Sequence, residues 1–321
     1  MLSLATLSAT AFGQTANQAR PGTLNYIEGQ ASIEGRPITP NSVGNTELQA
    51  GQYLSTANGK AEILLTPGVF LRLGDNSTVQ MVSPNLTKTE VRIEQGRANV
   101  EVDQLYKQNI ILIDLKKGQT QLLQNGLYTF DAGSSTVRVF DGKAAVYPGA
   151  DLLANIKPID VKGDRELVFN GEPLKPQHFN KDQASADPLY KWSSLRSEYL
   201  GEANIGLAEQ YAGVTGFNPG WYWAGGPYGY TWLPGDGLFW NPYGFGFYSP
   251  YYLYGGGFIY GRYGRGIYPY RGWVGDRGGH AIGGNFRGGG FHSGSEGFHG
   301  GGGGFHGGGG GGFHGGGGGH R

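Results

Sequence analysis

Apolar residues between Gly22 and Phe169 recur in short runs broken by Gly, Asn, Asp and Pro, and no stretch there has helical periodicity. Strands are predicted over 24–28, 31–33, 61–66, 69–73, 78–82, 91–94, 98–102, 110–115, 127–131, 136–140 and 144–147. Some alternate in period two, as in Val137-Arg138-Val139-Phe140. Others, such as Ile110-Ile111-Leu112-Ile113, are continuous and suit a strand covered on both faces. Strands at this regular spacing predict an all-β sandwich or roll.

One short pattern occurs three times: Ile27-Glu28-Gly29-Gln30-Ala31, Glu94-Gln95-Gly96-Arg97-Ala98 and Phe140-Asp141-Gly142-Lys143-Ala144. Glycine next to an acid, or separated from it by one residue, predicts a tight hairpin at each place. The alternative is that they are three equivalent turns of one roll. Paired acids such as Glu101 and Asp103 share a strand face and read as a solvated edge.

The period changes at residue 187. Asp187 suits a helix N-cap and Pro188 the first helical position. Leu189, Trp192, Leu195, Tyr199, Ala203 and Leu207 then mark an apolar face, and Gly213 is a stop. One helix is predicted over 187–212, weakened by Gly201 and Gly206 at about 1 kcal/mol each. Residues 213–275 alternate aromatics with Pro and Gly, which suits short hairpins. Residues 276–321 are a Gly/Phe/His background too poor in side chains to form a core, so a largely disordered tail is expected.

Composition sharpens this division. Residues 213–321 hold 43 of the 62 glycines, five of six Trp and six of seven His. Formal charge is zero overall, and neither part has the basic excess of a nucleic-acid binder. The chain has no cysteine, which removes disulfides, thiolate metal sites and thiol catalysis. Residues 1–13 read as the back of a secretory signal peptide, with Ala11 and Gly13 placed for cleavage and the basic front missing. Export to the periplasm, outer envelope or medium is the expectation. No later run approaches the ~20 apolar residues of a membrane span.

Three segments carry a resemblance. They are Leu48-Gln-Ala-Gly51-Gln-Tyr-Leu54-Ser-Thr56, Gly59-Lys-Ala-Glu62-Ile-Leu-Leu65-Thr-Pro-Gly68 and Leu71-Arg-Leu-Gly74-Asp-Asn-Ser77-Thr-Val79. With Gly126-Leu-Tyr128-Thr-Phe130-Asp131 and Val137-Arg-Val139-Phe-Asp141-Gly142-Lys-Ala144, the stretch 22–169 resembles FecR-type domains. The whole arrangement is similar to secreted proteins of soil bacteria such as acidobacteria. The resemblance implies an extracytoplasmic β domain. In the best-known members it passes a signal from an outer-membrane receptor to a sigma factor. With no cytoplasmic segment before the domain and no transmembrane run, that role is not carried over here.

No catalytic constellation is present, and no enzyme activity is expected. Asp75 and Ser77 read as turn-closing residues. His292, His299, His306, His314 and His320 could gather weakly on Zn²⁺, Ni²⁺ or Cu²⁺, the one cofactor chemistry available. Trp221, Trp223, Tyr230, Trp232 and Trp240 are candidate interaction aromatics, expected to be partly exposed to a partner. The leading expectation is a non-catalytic module that contacts an envelope protein or polysaccharide. Alternatives are a self-assembling matrix protein, a metal-binding tail and a periplasmic part of iron or sigma-factor signalling.

Overall fold

The computed structural model describes residues 19–149, 157–170 and 174–254, and these form a mostly β structure. The strands are β1 (Leu24–Ile33), β2 (Arg36–Ile38), β3 (Tyr53–Thr66), β4 (Val69–Leu73), β5 (Thr78–Asn85), β6 (Lys88–Gln95), β7 (Arg97–Val102), β8 (Ile110–Leu115), β9 (Gly118–Leu122) and β10 (Gly126–Asp131). They continue with β11 (Thr136–Asp141), β12 (Lys143–Pro148), β13 (Ile159–Lys162), β14 (Arg165–Val168) and β15 (Gln177–His178). Helices α1 (Lys181–Ser185) and α2 (Pro188–Gln210) follow. Two hairpins, β16 (Gly220–Trp223) with β17 (Tyr230–Leu233) and β18 (Leu238–Trp240) with β19 (Gly246–Tyr248), precede α3 (Pro250–Tyr254).

Thirteen strands make one ladder in the order β13-β12-β9-β8-β6-β5-β3-β4-β7-β10-β11-β14-β15, with β1 and β2 branching from β3. Every pairing is antiparallel except that of β6 with β8. The long strand β3 is forked: its start pairs with β5 and its end with β4, while β1 runs beside both parts. The ladder curls, bringing β10 near β6 and β11 near β13 across the interior. Period-two alternation fills that interior with Ala61, Ile63 and Leu65 of β3, Val69, Leu71 and Leu73 of β4, and Ala98, Val100 and Val102 of β7.

The three recurring glycine motifs are not hairpins. Strand β1 runs straight through Gly29 with only a bulge in its pairing to β3. Strand β6 pairs with β5 and β8, and β7 with β4 and β10, so Gly96 is a corner between different parts of the sheet. Gly142 does the same between β11 and β12. Both have positive φ, 74° and 96°. A Cβ on Gly96 would strike Ser77 Oγ, and one on Gly142 the Tyr128 hydroxyl, so glycine is required by conformation and by space. The acid-glycine signal marked a change of direction, and strand pairing decided which neighbour came next.

Helix α2 begins where its capping residues stand, with the Asp187 carboxylate accepting from Leu189 N at 2.8 Å. Its buried face differs from the expected one. Leu189 and Trp192 are buried, but Leu195 and Tyr199 are 45% and 43% exposed. The inward positions are Ser193, Arg196, Ser197, Leu200, Gly201, Asn204 and Ala208. The surface this helix meets is polar, so apolar spacing pointed to the wrong face.

Candidate functional site

The outer face of the sheet carries one polar row from strand to strand. Register places Tyr26 opposite Glu62, Glu62 opposite Arg72, Arg72 opposite Asn99 and Asn99 opposite Thr129. The row continues through Arg138 and Glu166. Each position alternates with core residues on its strand, so all of them point away from the interior. Over Glu62, Arg72 and Asn99 the outer side is closed by α2 and the aromatic hairpins. Glu62, Arg72 and Glu101 are completely buried, and Asp103 and Arg196 almost so. The reading of Glu101 and Asp103 as a solvated edge is therefore corrected: β7 is an interior strand, and a second layer covers it.

Arg72 Nε donates to Glu62 Oε2 at 2.6 Å, and Arg72 Nη1 donates to Glu101 Oε2. From α2, Arg196 Nη2 donates to Glu62 Oε1 and to the Tyr228 carbonyl, both at 2.9 Å. The same guanidinium lies 4.0 Å from the centre of the Tyr26 ring. Ser197 Oγ donates to Glu101 Oε2, and Asn241 Nδ2 to Glu101 Oε1 at 2.8 Å. Two carboxylates thus meet two guanidiniums, with hydroxyl and amide groups supplying further bonds.

Burial raises the proton affinity of Glu62, but Arg196 and Arg72 outweigh it and hold its pKa at about 2. Burial would lower the pKa of Arg72, and Glu101 with Glu62 raises it instead. Asp103 goes the other way. Burial and the adjacent Glu101 charge push its carboxyl well above the usual range.

Three buried asparagines dock the covering layer. Asn25 Nδ2 donates to the Tyr230 carbonyl at 2.9 Å and Oδ1 accepts from Tyr230 N at 2.6 Å, mimicking a strand partner. Asn204 does this from α2, donating to the Trp232 carbonyl and accepting from Tyr248 N, which ties both hairpins to the helix. Asn241 holds the β18–β19 turn through Tyr243 N and Phe245 N while it reaches Glu101.

Apolar packing completes the layer. Leu64 and Phe70 face outward from β3 and β4 and join Leu200, Tyr230, Trp232 and Phe247 in one cluster. Phe70 meets the Trp221 ring edge-on, with centroids 4.9 Å apart. Each fully buried side chain of this size contributes roughly 1.5–3 kcal/mol. Of the candidate interaction aromatics, Tyr230 and Trp232 are buried in this cluster, and Trp221 and Trp223 are half-buried against it. Trp240 is 48% exposed. Partial exposure therefore fails for Tyr230 and Trp232, because the outer sheet face gave them an apolar surface to cover. The histidines His292, His299, His306, His314 and His320, and the leader-like residues 1–13, lie outside the described residues.

Sequence reasoning missed Glu62, Arg72 and Arg196. A signal was present: Glu62 and Arg72 each stand alone between core residues, while Leu64 and Phe70 on the same outward face are apolar. An outward face that is partly apolar implies a covering layer, and a lone charge beneath it implies a buried partner.

Among the described residues no group of three His, Asp or Glu is placed to hold a metal ion, and no helix is long and apolar enough to cross a membrane. The family model for FecR protein matches residues 52–145. Two crystal structures of a candidate anti-sigma factor from Parabacteroides distasonis ATCC 8503, at 2.50 and 1.65 Å resolution, are similar at 14% identity and a TM-score of 0.35. The similarity covers 42% of this chain and 62% and 63% of theirs, so the chain spans less than two thirds of their length. No curated protein matches the chain. The family match runs from the start of β3 to β12 and includes Glu62, Arg72 and Glu101 but neither α2 nor the hairpins. The matched residues 52–145 are set within a larger sheet whose outer face the chain's own later residues cover.

Proposed function

We propose that this protein is an exported, non-catalytic FecR-domain interaction module that takes part in signalling across the cell envelope. The observation that carries it is the FecR match over the centre of the sheet. That match favours the signalling alternative over a purely structural matrix role, although the sequence taken alone withheld it. The covered outer face directs partner binding to other parts of the domain: sheet edges, corner loops and the exposed side of α2. Export rests on the leader-like residues 1–13 and on the extracytoplasmic setting that the family implies.

The test is deletion of the gene in its host with complementation by a tagged full-length chain. Recovery of the tagged protein outside the cytoplasm, with a discrete set of sigma-dependent transcripts changed by deletion and restored by the chain, is expected. Recovery only in the cytosol, or an unchanged transcript profile, overturns the reading.

A further inference from the structure

A cavity of about 190 Å³ lies between the outer face of β7, β10 and β11 and the helices α1 and α2. It is at the unburied end of the polar row, away from the Glu62–Arg72 centre. Asn99, Thr129, Asp131, Thr136 and Arg138 line one side, and Phe140 with Tyr190 forms an aromatic wall. The two rings pack with centroids 5.0 Å apart.

Both arginines of the wall are already paired. Arg97 is paired with Asp187, and Arg138 places Nε and Nη2 on Glu166 at 2.9 and 2.7 Å. With Asp187 set against Arg97 and Glu166 against Arg138, Asp131 is, among the described residues, the one lining charge without an opposite partner, so the cavity disfavours an anion and offers a carboxylate acceptor.

Hydrogen-bonding capacity is left over among the described residues. Asp131 uses Oδ1 to accept from Ser134 N at 2.9 Å, leaving Oδ2 as an acceptor. Arg138 keeps Nη1 as a donor. Asn99 accepts from Thr129 and donates to Ser193 at 3.1 Å, which leaves one amide hydrogen. A carboxylate oxygen, a guanidinium nitrogen and an amide beside an aromatic wall suit a ligand dense in hydroxyls with an apolar C–H face. The volume is below the roughly 300–1,000 Å³ of sites for larger ligands, so one ring fits better than an extended molecule.

We propose that this cavity binds a neutral saccharide unit, its hydroxyls held by Asp131, Arg138 and Asn99 and its C–H face against Tyr190 and Phe140. The unit is a free sugar or the end of a glycan chain.

Calorimetry and amide chemical-shift mapping on the full chain test this. The probes are glucose, galactose, mannose and N-acetylglucosamine, oligomers of glucose and of N-acetylglucosamine, and glutamate and inorganic phosphate as charged controls. At least one neutral sugar is expected to bind saturably, with shifts centred on 97–99, 129–140 and 184–190. Asp131→Asn keeps the acceptor for Ser134 N and should weaken binding tenfold or more at an unchanged melting temperature. Tighter binding of an oligomer than of its monomer assigns a glycan end, and equal binding a free sugar; both support the site. Absence of binding by every neutral sugar, shifts that map elsewhere, or undiminished binding by a folded Asp131→Asn protein overturns it. The mapping on the unsubstituted chain decides the matter if that variant does not fold.

Discussion

Glu62 and Glu101 can be buried only because Arg72 and Arg196 neutralise them where water is excluded, and removing one partner strands a charge. Arg196→Ala is expected to cost about 3–5 kcal/mol in urea unfolding, with the first loss of amide-exchange protection over 220–248. Glu62 titrates near 2 in the folded chain against an ordinary value of 4.5. Its contribution, about 3 kcal/mol, is therefore complete above pH 4.5 and is lost as pH falls toward 2. In Glu62→Gln that loss between pH 4.5 and 2 should disappear from the stability profile. Asp103 has the opposite sign. Its raised pKa means the unfolded chain ionises first, so stability falls as pH rises through 3.8 and beyond. Asp103→Asn should melt a few degrees higher at pH 7 and at the same temperature as the parent near pH 3.

At the scale of the element, α2 is a helix whose polar side faces in. Burying Ser193, Arg196, Ser197 and Asn204 is tolerable because each has a partner on the sheet or the hairpins. Its two glycines are not equivalent. A Cβ at Gly206 would enter open space, while one at Gly201 would lie 3.3 Å from the Gly246 carbonyl oxygen and 3.4 Å from Phe245 Cβ. Gly206→Ala should stabilise by about 0.5–1 kcal/mol, the gain in helix propensity. Gly201→Val should destabilise by more than 1 kcal/mol, because hairpin β18–β19 must move. Thermal melts of the two variants check both signs.

For the whole molecule, the covering layer makes the residues that match the FecR family model depend on residues beyond that match. Deleting residues 213–321 would uncover Leu64, Phe70 and the Glu62–Arg72–Glu101 charges together. Calorimetry of the intact chain should give one cooperative transition for the sheet, α2 and hairpins. The truncated chain should lose most of that transition and aggregate.

The mostly β character was legible in the sequence, and so were strands such as 69–73 and 110–115, because period-two alternation and continuous apolar runs are local signals. Short polar strands such as Gly118–Leu122 and Arg165–Val168 were not, since pairing with neighbours rather than composition makes them strands. The glycine corners were visible as changes of direction but not as changes of partner. Only the tertiary structure decided that the outer sheet face is covered. It alone turned Glu62, Arg72, Glu101 and Arg196 from scattered charges into one neutral buried group, and placed Tyr230 and Trp232 in a core. The physical reason is that burial and charge pairing belong to pairs of surfaces. Glu62 and Arg196 are 134 residues apart in the chain and 2.9 Å apart in the fold.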